Sequence, residues 1–456
     1  MSHNHYLIDR YEKKLNFGLD KLNTNPDLPF VHGIALHPQL ILLKDVQYFI
    51  DNNINFIYPI SALDTKIFYK APPMLSSAVI KACNSGLCKV GIFFDTEGTE
   101  YGDPHFKWFK KFAVKNKLDF TNFFFSHGNR ILAKSYMKYL KGKEPSITIL
   151  KYSHFQDFPW FLYNGADVAP SKRDIIVHFM KNLVHNREVN KEKHFLCLNR
   201  VPRAGRLLIF AVIASNRKLD SKSILSIGSG DNSPNRDNQH KYISLNSDLR
   251  DLQPWDVTEE EIIPSRLQTF MNSYDWDKRS YILDNLEDTN KALSINLDFH
   301  RSTFVNIVTE TLYSNKTIFF SEKIFKPIYM LQPFILIGNP HSLKELKKLG
   351  YKTFDKWWDE SYDEEENLTK RILKIEKILK KISKLTPDEL FSWTTAMENT
   401  LIHNYSVLFF EPKQESLDYF NFLNFNKPFE RSVSTVLIEK PVKVKKALPE
   451  GFRSFI

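Results

Sequence analysis

Short apolar runs closed by polar or turn residues recur through the first third of the chain. PFVHGIALHP (29–38), NFIYPI (55–60), CKVGIFFD (88–95), DFTNFFFSHGN (119–129) and SITILKY (146–152) each predict a buried strand. Between them, HPQLILLKDVQYFIDNN (37–53) and PHFKWFKKFAVKNK (104–117) read as helices. Strands alternating with helices predict a parallel sheet covered on its faces. A helix running into a charged stretch occupies 168–193 and places a domain boundary near 185–192.

The same rhythm then resumes. HFLCLNR (194–200), SILSIGSG (223–230), HKYISLN (240–246), ALSINLD (292–298), TFVNIVTET (303–311), KTIFF (316–320) and PFILIG (333–338) predict strands, and AGRLLIFAVIASNRKL (204–219) a helix. From about 360 the chain turns helical and charged, with apolar residues at 372, 373, 375, 378, 379 and 382 forming one stripe. The tail EKPVKVKKALPEGFRSFI is basic and reads as extended. The expected organisation is an α/β domain over 1–188, a second over 189–385, and helices with a basic tail over 386–456. Two α/β domains joined once imply a cleft, with ligands beyond the carboxyl ends of the strands.

Composition adds bounds. A chain of 456 residues exceeds one ordinary core, and its 42% apolar and 25% charged content is that of a folded protein. Aromatic residues reach 14%, which serves large cores or stacking surfaces, although an AT-rich genome also favours Phe, Lys, Asn and Ile. Lys plus Arg number 63 against 53 Asp plus Glu, a net +10. That excess fits a polyanion such as nucleic acid, a phosphorylated substrate, or solvated surface. Three cysteines, Cys83, Cys88 and Cys197, argue against a disulfide framework and for a reducing compartment. Without a leader pattern or a long apolar run, the expectation is a cytoplasmic chain with no membrane insertion.

The candidate chemistry concentrates in FVNIVTETLYSNKTIFFSEKIFKPIYMLQPFILIG. Glu310 follows one predicted strand and Glu322 the next, so both acids fall at strand ends on one side of the sheet. A carboxylate there can accept two hydrogen bonds from a sugar diol, and the following helix N-terminus can take a phosphate. Lys323 and Lys326 add positive charge against a diphosphate leaving group. The plainer alternative is that Glu322 caps a helix starting at Lys323 and that the lysines are solvated.

This segment resembles the nucleotide-sugar-binding part of the α1,3-fucosyltransferase group and its relatives among two-domain (GT-B) glycosyltransferases. There an acid-bearing strand end is followed by a Thr/Ser-Glu-Lys turn, a short helix and a further strand. The spacing from Glu310 to Glu322 is longer here and Thr311 stands where Asn is usual, so fucose is not carried over. LKKLGYKTFDKWWDESYDEEE further resembles viral and bacterial glycosyltransferase-like proteins. The resemblance implies two Rossmann-like domains facing each other across a cleft, followed by a helical C-terminal segment. It also implies a nucleotide-diphosphate sugar as donor, with no cofactor or divalent metal beyond it.

Other constellations fit around that frame. In CLNRVPRAGR, Arg200, Arg203 and Arg206 stand three apart after a strand, suited to bidentate phosphate contact or to plain surface charge. Sugar transfer needs a base at the acceptor hydroxyl. Glu97 and then Asp95, in VGIFFDTEGTEYGD, are the candidates, with capping or turn roles as alternatives. His127, at another predicted strand end, is an alternative base or an acceptor contact. Asp275 and Asp277 form a DxD in a helix-like context and read as a loop feature rather than a metal site. The expected acceptor is a glycan or a hydroxymethylated base in duplex DNA. A non-catalytic nucleic-acid-binding α/β protein is the alternative from another class.

Overall fold

The computed structural model describes residues 5–8, 30–31, 34–35, 41–44, 46–61, 71–72, 74–94, 101–142, 147–152, 154–157, 172–199, 204–227, 264–274, 295–311, 313, 317–411 and 413–423. Structural statements below concern these residues.

The first sheet has six parallel strands. In chain order its region contains β1 (His5–Ile8), the small antiparallel pair β2 (Phe30–Val31) and β3 (Ile34–Ala35), β4 (Ile41–Lys44) and β5 (Phe56–Ser61). β6 (Cys88–Phe94), β7 (Phe123–His127) and β8 (Thr148–Lys151) follow, and the strand order is β4-β1-β5-β6-β7-β8. Helices α1 (Val46–Asp51), α2 (Ser77–Asn84), α3 (Asp103–Lys115) and α4 (Leu132–Leu140) lie between strands. β5 to β8 step one strand at a time in one direction, so right-handed crossovers put α2, α3 and α4 on the same face.

Side chains alternate across β7 as strand geometry requires. Phe123 and Phe125 meet Phe112 and Phe109 of α3, at ring distances of 5.3 and 4.7 Å, while Phe124 points to the opposite face. Gly91 lies beneath that ring: a Cβ there would stand 2.2 Å from Phe124 Cζ.

After α5 (His154–Asp157) and α6 (Lys172–Glu188) comes the second parallel sheet. Its chain order is β9 (Lys193–Asn199), α7 (Ala204–Ala214), α8 (Arg217–Ser221), β10 (Ser223–Ile227), α9 (Ser265–Ser273), α10 (Leu297–Ser302) and β11 (Thr303–Thr309). It continues through α11 (Glu322–Tyr329), β12 (Phe334–Ile337), α12 (Ser342–Lys348), α13 (Leu368–Ile382), α14 (Pro387–Phe409) and α15 (Gln414–Leu423).

The strand order is β10-β9-β11-β12. From the central pair β9/β11 the chain winds outward both ways, so α7 and α11 cover opposite faces. Their neighbours agree, α13 and α9 against α7, α14 and α5 against α11. The architecture is therefore mixed α/β with two parallel sheets and helices around them.

Several sequence expectations change. Residues 37–53 are not one helix: Ile41–Lys44 is a strand paired with β1, and only Val46–Asp51 is helical. Within the 29–38 run, the described residues Phe30–Val31 and Ile34–Ala35 form two short antiparallel strands rather than one strand. In ALSINLD the described residues, 295–298, are not a strand, because Asn296 accepts from Phe299 N and starts α10. KTIFF makes no ladder: residues 317–320 are irregular and buried, and they run between the two sheets. HKYISLN lies outside the described residues. The predicted stripe on α13 is present, with 372, 375, 378, 379 and 382 buried and Leu373 half-buried.

α15 returns to the first sheet. Tyr419 stacks on Tyr152 at 4.1 Å, and Phe422 meets Phe124 at 5.2 Å. Lys89 reaches across from β6, its ammonium 3.8 Å from the centre of the Phe422 ring and donating to the Phe422 carbonyl. No helix among the described residues is long and apolar enough to cross a membrane.

Candidate functional site

The outward winding from β9 and β11 creates a topological switch point, the place where open parallel sheets bind ligands beyond their carboxyl ends. Two strand ends meet there. Thr309 Oγ1, the last residue of β11, donates to Asn199 Oδ1, the last of β9, at 2.5 Å. Glu310 comes next on one side and Arg200 on the other, the latter outside the described residues.

Glu310 is 2% exposed, and its carboxylate faces inward to the next turn. Its oxygens accept from Ser321 N at 3.3 and 3.4 Å and from Ser321 Oγ at 2.6 Å. Burial pushes the Glu310 carboxyl above its ordinary range, against the opposing pull of Lys323 and the Ser321 hydroxyl. Arg206 is buried on α7 and donates from Nη2 to the Glu310 carbonyl at 3.3 Å, so it ties the helix to the end of β11. Tyr313 covers the start of that helix so closely that a Cβ on Gly205 would meet its ring at 2.5 Å.

Ser321 is the N-cap of α11. Its hydroxyl accepts from Lys323 N at 3.4 Å and Lys323 Nζ at 3.1 Å while donating to Glu310. Glu322 is thus the first helical residue rather than the cap. Its carboxylate pairs with Lys323 Nζ at 2.8 Å. Burial would raise the Glu322 carboxyl, but Lys323 and Lys326 outweigh it and hold the group at about 2. The helix N-terminus adds a favourable partial charge for an anion at that position. The result is a first turn carrying one fixed carboxylate and a lysine ammonium, Lys323, whose side chain is 30% exposed.

The first sheet reaches this turn through residues 317–320. Arg130 N donates to Ile318 O at 2.7 Å, and Asn129 Oδ1 accepts from Ile318 N at 3.1 Å. Asn339, just after β12, holds Thr317 from the other side, donating to its carbonyl and to Oγ1 at 2.8 Å. The Arg130 guanidinium is buried, bound to both Glu415 oxygens at 2.9 and 3.0 Å, with Glu345 at 3.5 Å. Three parts of the chain therefore meet at one side chain: the loop after β7, α12 and α15.

His127 ends β7 with no exposure, among Phe94, Tyr101 and Phe125. Its Nδ1 accepts from Asn129 N at 2.7 Å, so Nε2 carries the proton and has no partner among the described residues. Burial lowers the ring to about 3. In this tautomer Nε2 is a hydrogen-bond donor.

The structure brings together Arg206, Glu310, Glu322, Lys323 and Lys326 around the end of β11. Glu97, Asp95, Arg200 and Arg203 lie outside the described residues, as do Asp275 and Asp277. Among the described residues no group of three or more His, Cys, Asp or Glu could hold a metal ion. The three cysteines are buried and unpaired, and burial raises each thiol. Sequence reasoning missed Ser321, Asn129, Arg130, Asn199 and Thr309. Ser321 was signalled by its place before Glu-Lys, a common N-cap position, whereas the others act through contacts distant in sequence.

No protein-family model matches the chain, and no curated protein does. Among solved structures, the N-terminal domain of Candida albicans trehalose-6-phosphate phosphatase superposes with a TM-score of 0.38 and 10% identity. The superposition covers 80% of this chain and 71% of that one. At that degree of likeness neither activity nor ligand carries over.

Proposed function

We propose that the chain is a glycosyltransferase of the two-domain type, its two Rossmann-like domains facing each other across a cleft. It would move a sugar from a nucleotide-diphosphate donor to an acceptor hydroxyl. The observation that supports this most is the Ser321-Glu322-Lys323 turn, anchored by buried Glu310 beside the switch point between β9 and β11.

In this reading Glu322 accepts hydrogen bonds from sugar or ribose hydroxyls. Lys323 and Lys326 meet the diphosphate together with Arg200 and Arg203. Glu310 and Arg206 position the turn rather than touch the donor. The acceptor hydroxyl gives its proton to Glu97 or Asp95. Its oxygen bonds to the anomeric carbon, the bond from that carbon to the diphosphate oxygen breaks, and the nucleoside diphosphate leaves with the electron pair. The positive charge of the turn stabilises that leaving group. No metal is assigned a role.

Thermal unfolding of wild type and Glu322→Gln with UDP, GDP, CMP and their sugar conjugates, with and without Mn²⁺, tests the reading. One nucleotide at a hundred times its dissociation constant should add about 2.7 kcal/mol, a shift of a few degrees, without metal. Glu322→Gln should lose that shift. No shift with any ligand would sink the donor site. A shift that requires Mn²⁺ would bring the Asp275–Asp277 pair into play.

A further inference from the structure

α3 and α4 lie side by side on the first sheet, the Phe106 ring 5.1 Å from Tyr136 and 5.3 Å from Tyr139. Their large rings turn inward: Phe106, Trp108, Phe109, Phe112 and Tyr136 are all buried. Their outward positions are mostly lysines. Lys107, Lys110, Lys111 and Lys115 on α3, and Lys134 and Lys138 on α4, are exposed, and Lys117 and Lys141 extend the row. Between 103 and 142 the acids are Asp103 and Asp119, two against eight exposed lysines. None of these lysines makes an ion pair among the described residues; Lys115 donates to the Pro72 carbonyl at 2.6 Å.

Lys107, Lys111 and Lys115 stand four apart, one stripe of about 12 Å along the helix. Duplex nucleic acid presents a negative charge about every 1.7 Å of its axis, so the stripe and its α4 neighbours can face several phosphates at once. The chemistry of the face separates the polyanions that could use it. Single-stranded nucleic acid is held by exposed aromatic platforms, and here Phe106, Trp108, Phe109, Phe112 and Tyr136 are buried and only Tyr139 is half-buried. Anionic membranes take a basic helix whose other residues insert, usually Trp, Phe or Leu. The large apolar side chains exposed here are Val114 and Met137, with no exposed aromatic. A lysine face with no fully exposed ring, and with only Val114 and Met137 as exposed apolar groups, suits phosphate-backbone contact on a duplex.

We propose that the α3–α4 face docks duplex nucleic acid through its phosphates and, resting on the transfer reading above, that this duplex is the acceptor. The placement supports it. α3 starts at the carboxyl edge of the sheet, where the Tyr101 ring just before the helix lies 4.8 Å from His127 at the end of β7. A duplex seated on the lysines extends to the strand ends where the acceptor hydroxyl is needed.

The test is fluorescence anisotropy of the full chain with a labelled 30-base-pair duplex across a salt series. Four to five phosphate contacts predict a loss of roughly 10²–10³ in affinity between 50 and 200 mM salt. The variant K107Q/K111Q/K134Q/K138Q should bind at least about 30-fold more weakly at 100 mM salt, with a flatter salt slope. Its unfolding midpoint should be unchanged, since all four positions are exposed and Gln keeps helix propensity. The control K370Q/K377Q/K381Q/K384Q removes the same charge from the exposed face of α13 and the turn that follows it. Equal losses in both variants would mean binding follows net charge and would overturn the proposal. So would weak duplex binding with tight, α3–α4-dependent binding to phosphatidylserine vesicles. Nucleotide-induced stabilisation is measured on the same variants. Duplex docking without any nucleotide shift would keep this face and remove the transferase, whereas a nucleotide shift without duplex docking would do the reverse.

Discussion

The Ser321 hydroxyl donates to Glu310 Oε2 at 2.6 Å, so a buried carboxylate at the end of β11 fixes the first turn of α11. Glu310→Ala strands the Ser321 N–H and O–H in a buried setting, where a lost acceptor costs about 1–3 kcal/mol. Urea unfolding should show that loss. Glu310→Gln, which keeps an acceptor oxygen, should recover most of it. Equal losses in the two variants would mean the turn does not depend on that acceptor.

Glu322 makes stability fall in acid. Its folded-state value of about 2 lies below the ordinary 4.5, so its contribution is complete above about 4.5 and disappears as pH falls towards 2. The size is at most on the order of 3 kcal/mol. Glu310 has the opposite sign. Its raised value means the folded state holds the proton more tightly, a contribution present at low pH and lost as pH rises through the folded value. Denaturant unfolding between pH 2 and 7 should therefore show a flatter acid limb for Glu322→Gln than for wild type, and a steeper rise of stability with pH for Glu310→Gln. An unchanged acid limb in Glu322→Gln would remove the assigned charge balance.

Arg130 and Glu415 form a bidentate pair with the arginine 2% exposed at its side chain. Arg130→Met removes the cation that Glu415 and Glu345 share but leaves each acid a lysine, Lys151 at 3.1 Å and Lys348, so the loss should fall below the about 3–5 kcal/mol of an uncompensated buried pair. Replacing Glu415 as well, in Arg130→Met/Glu415→Leu, should be milder than Arg130→Met alone. Hydrogen exchange over 414–423 should rise in the single variant. Full additivity of the two changes would show that the pair does not couple α15 to the first sheet.

Gly91 allows the Phe124 ring to lie flat against β6. The ring is also held by Phe93 at 5.3 Å and Phe422 at 5.2 Å, so it cannot move aside for a methyl group. Gly91→Ala should lower stability by about 1–3 kcal/mol. Gly91→Ala/Phe124→Leu should be less destabilised than the sum of the single changes, as measured by thermal unfolding. A Gly91→Ala variant as stable as wild type would remove this contact from the account.

Much of the fold was legible because its inner strands are continuous apolar runs: FIYPIS, CKVGIFF, FFFSH and FILI all stand where their pattern puts them. LILLKDVQYF was misread because an unbroken apolar run fits strand and helix alike, and pairing with β1 decides between them. KTIFF carries strand composition, yet its partners are Asn129, Arg130 and Asn339 rather than a ladder, and nothing local shows a contact 189 residues away. At the site, the Ser-Glu-Lys turn opening a short helix was legible. That Glu310 faces Ser321 was not, because the strand expected at 316–320 placed both acids towards a ligand.

The return of α15 has a consequence for how the chain matures on the ribosome. One face of β6 to β8 is covered by α2, α3 and α4, made early, but Lys89, Phe124 and Tyr152 meet Phe422 and Tyr419. A nascent chain that has emerged only to residue 411 holds a first sheet whose Phe124 and Tyr152 lack their α15 partners. Completion of that sheet must wait for some 270 further residues after β8, including all of the second, so the two sheets cannot mature strictly one after the other.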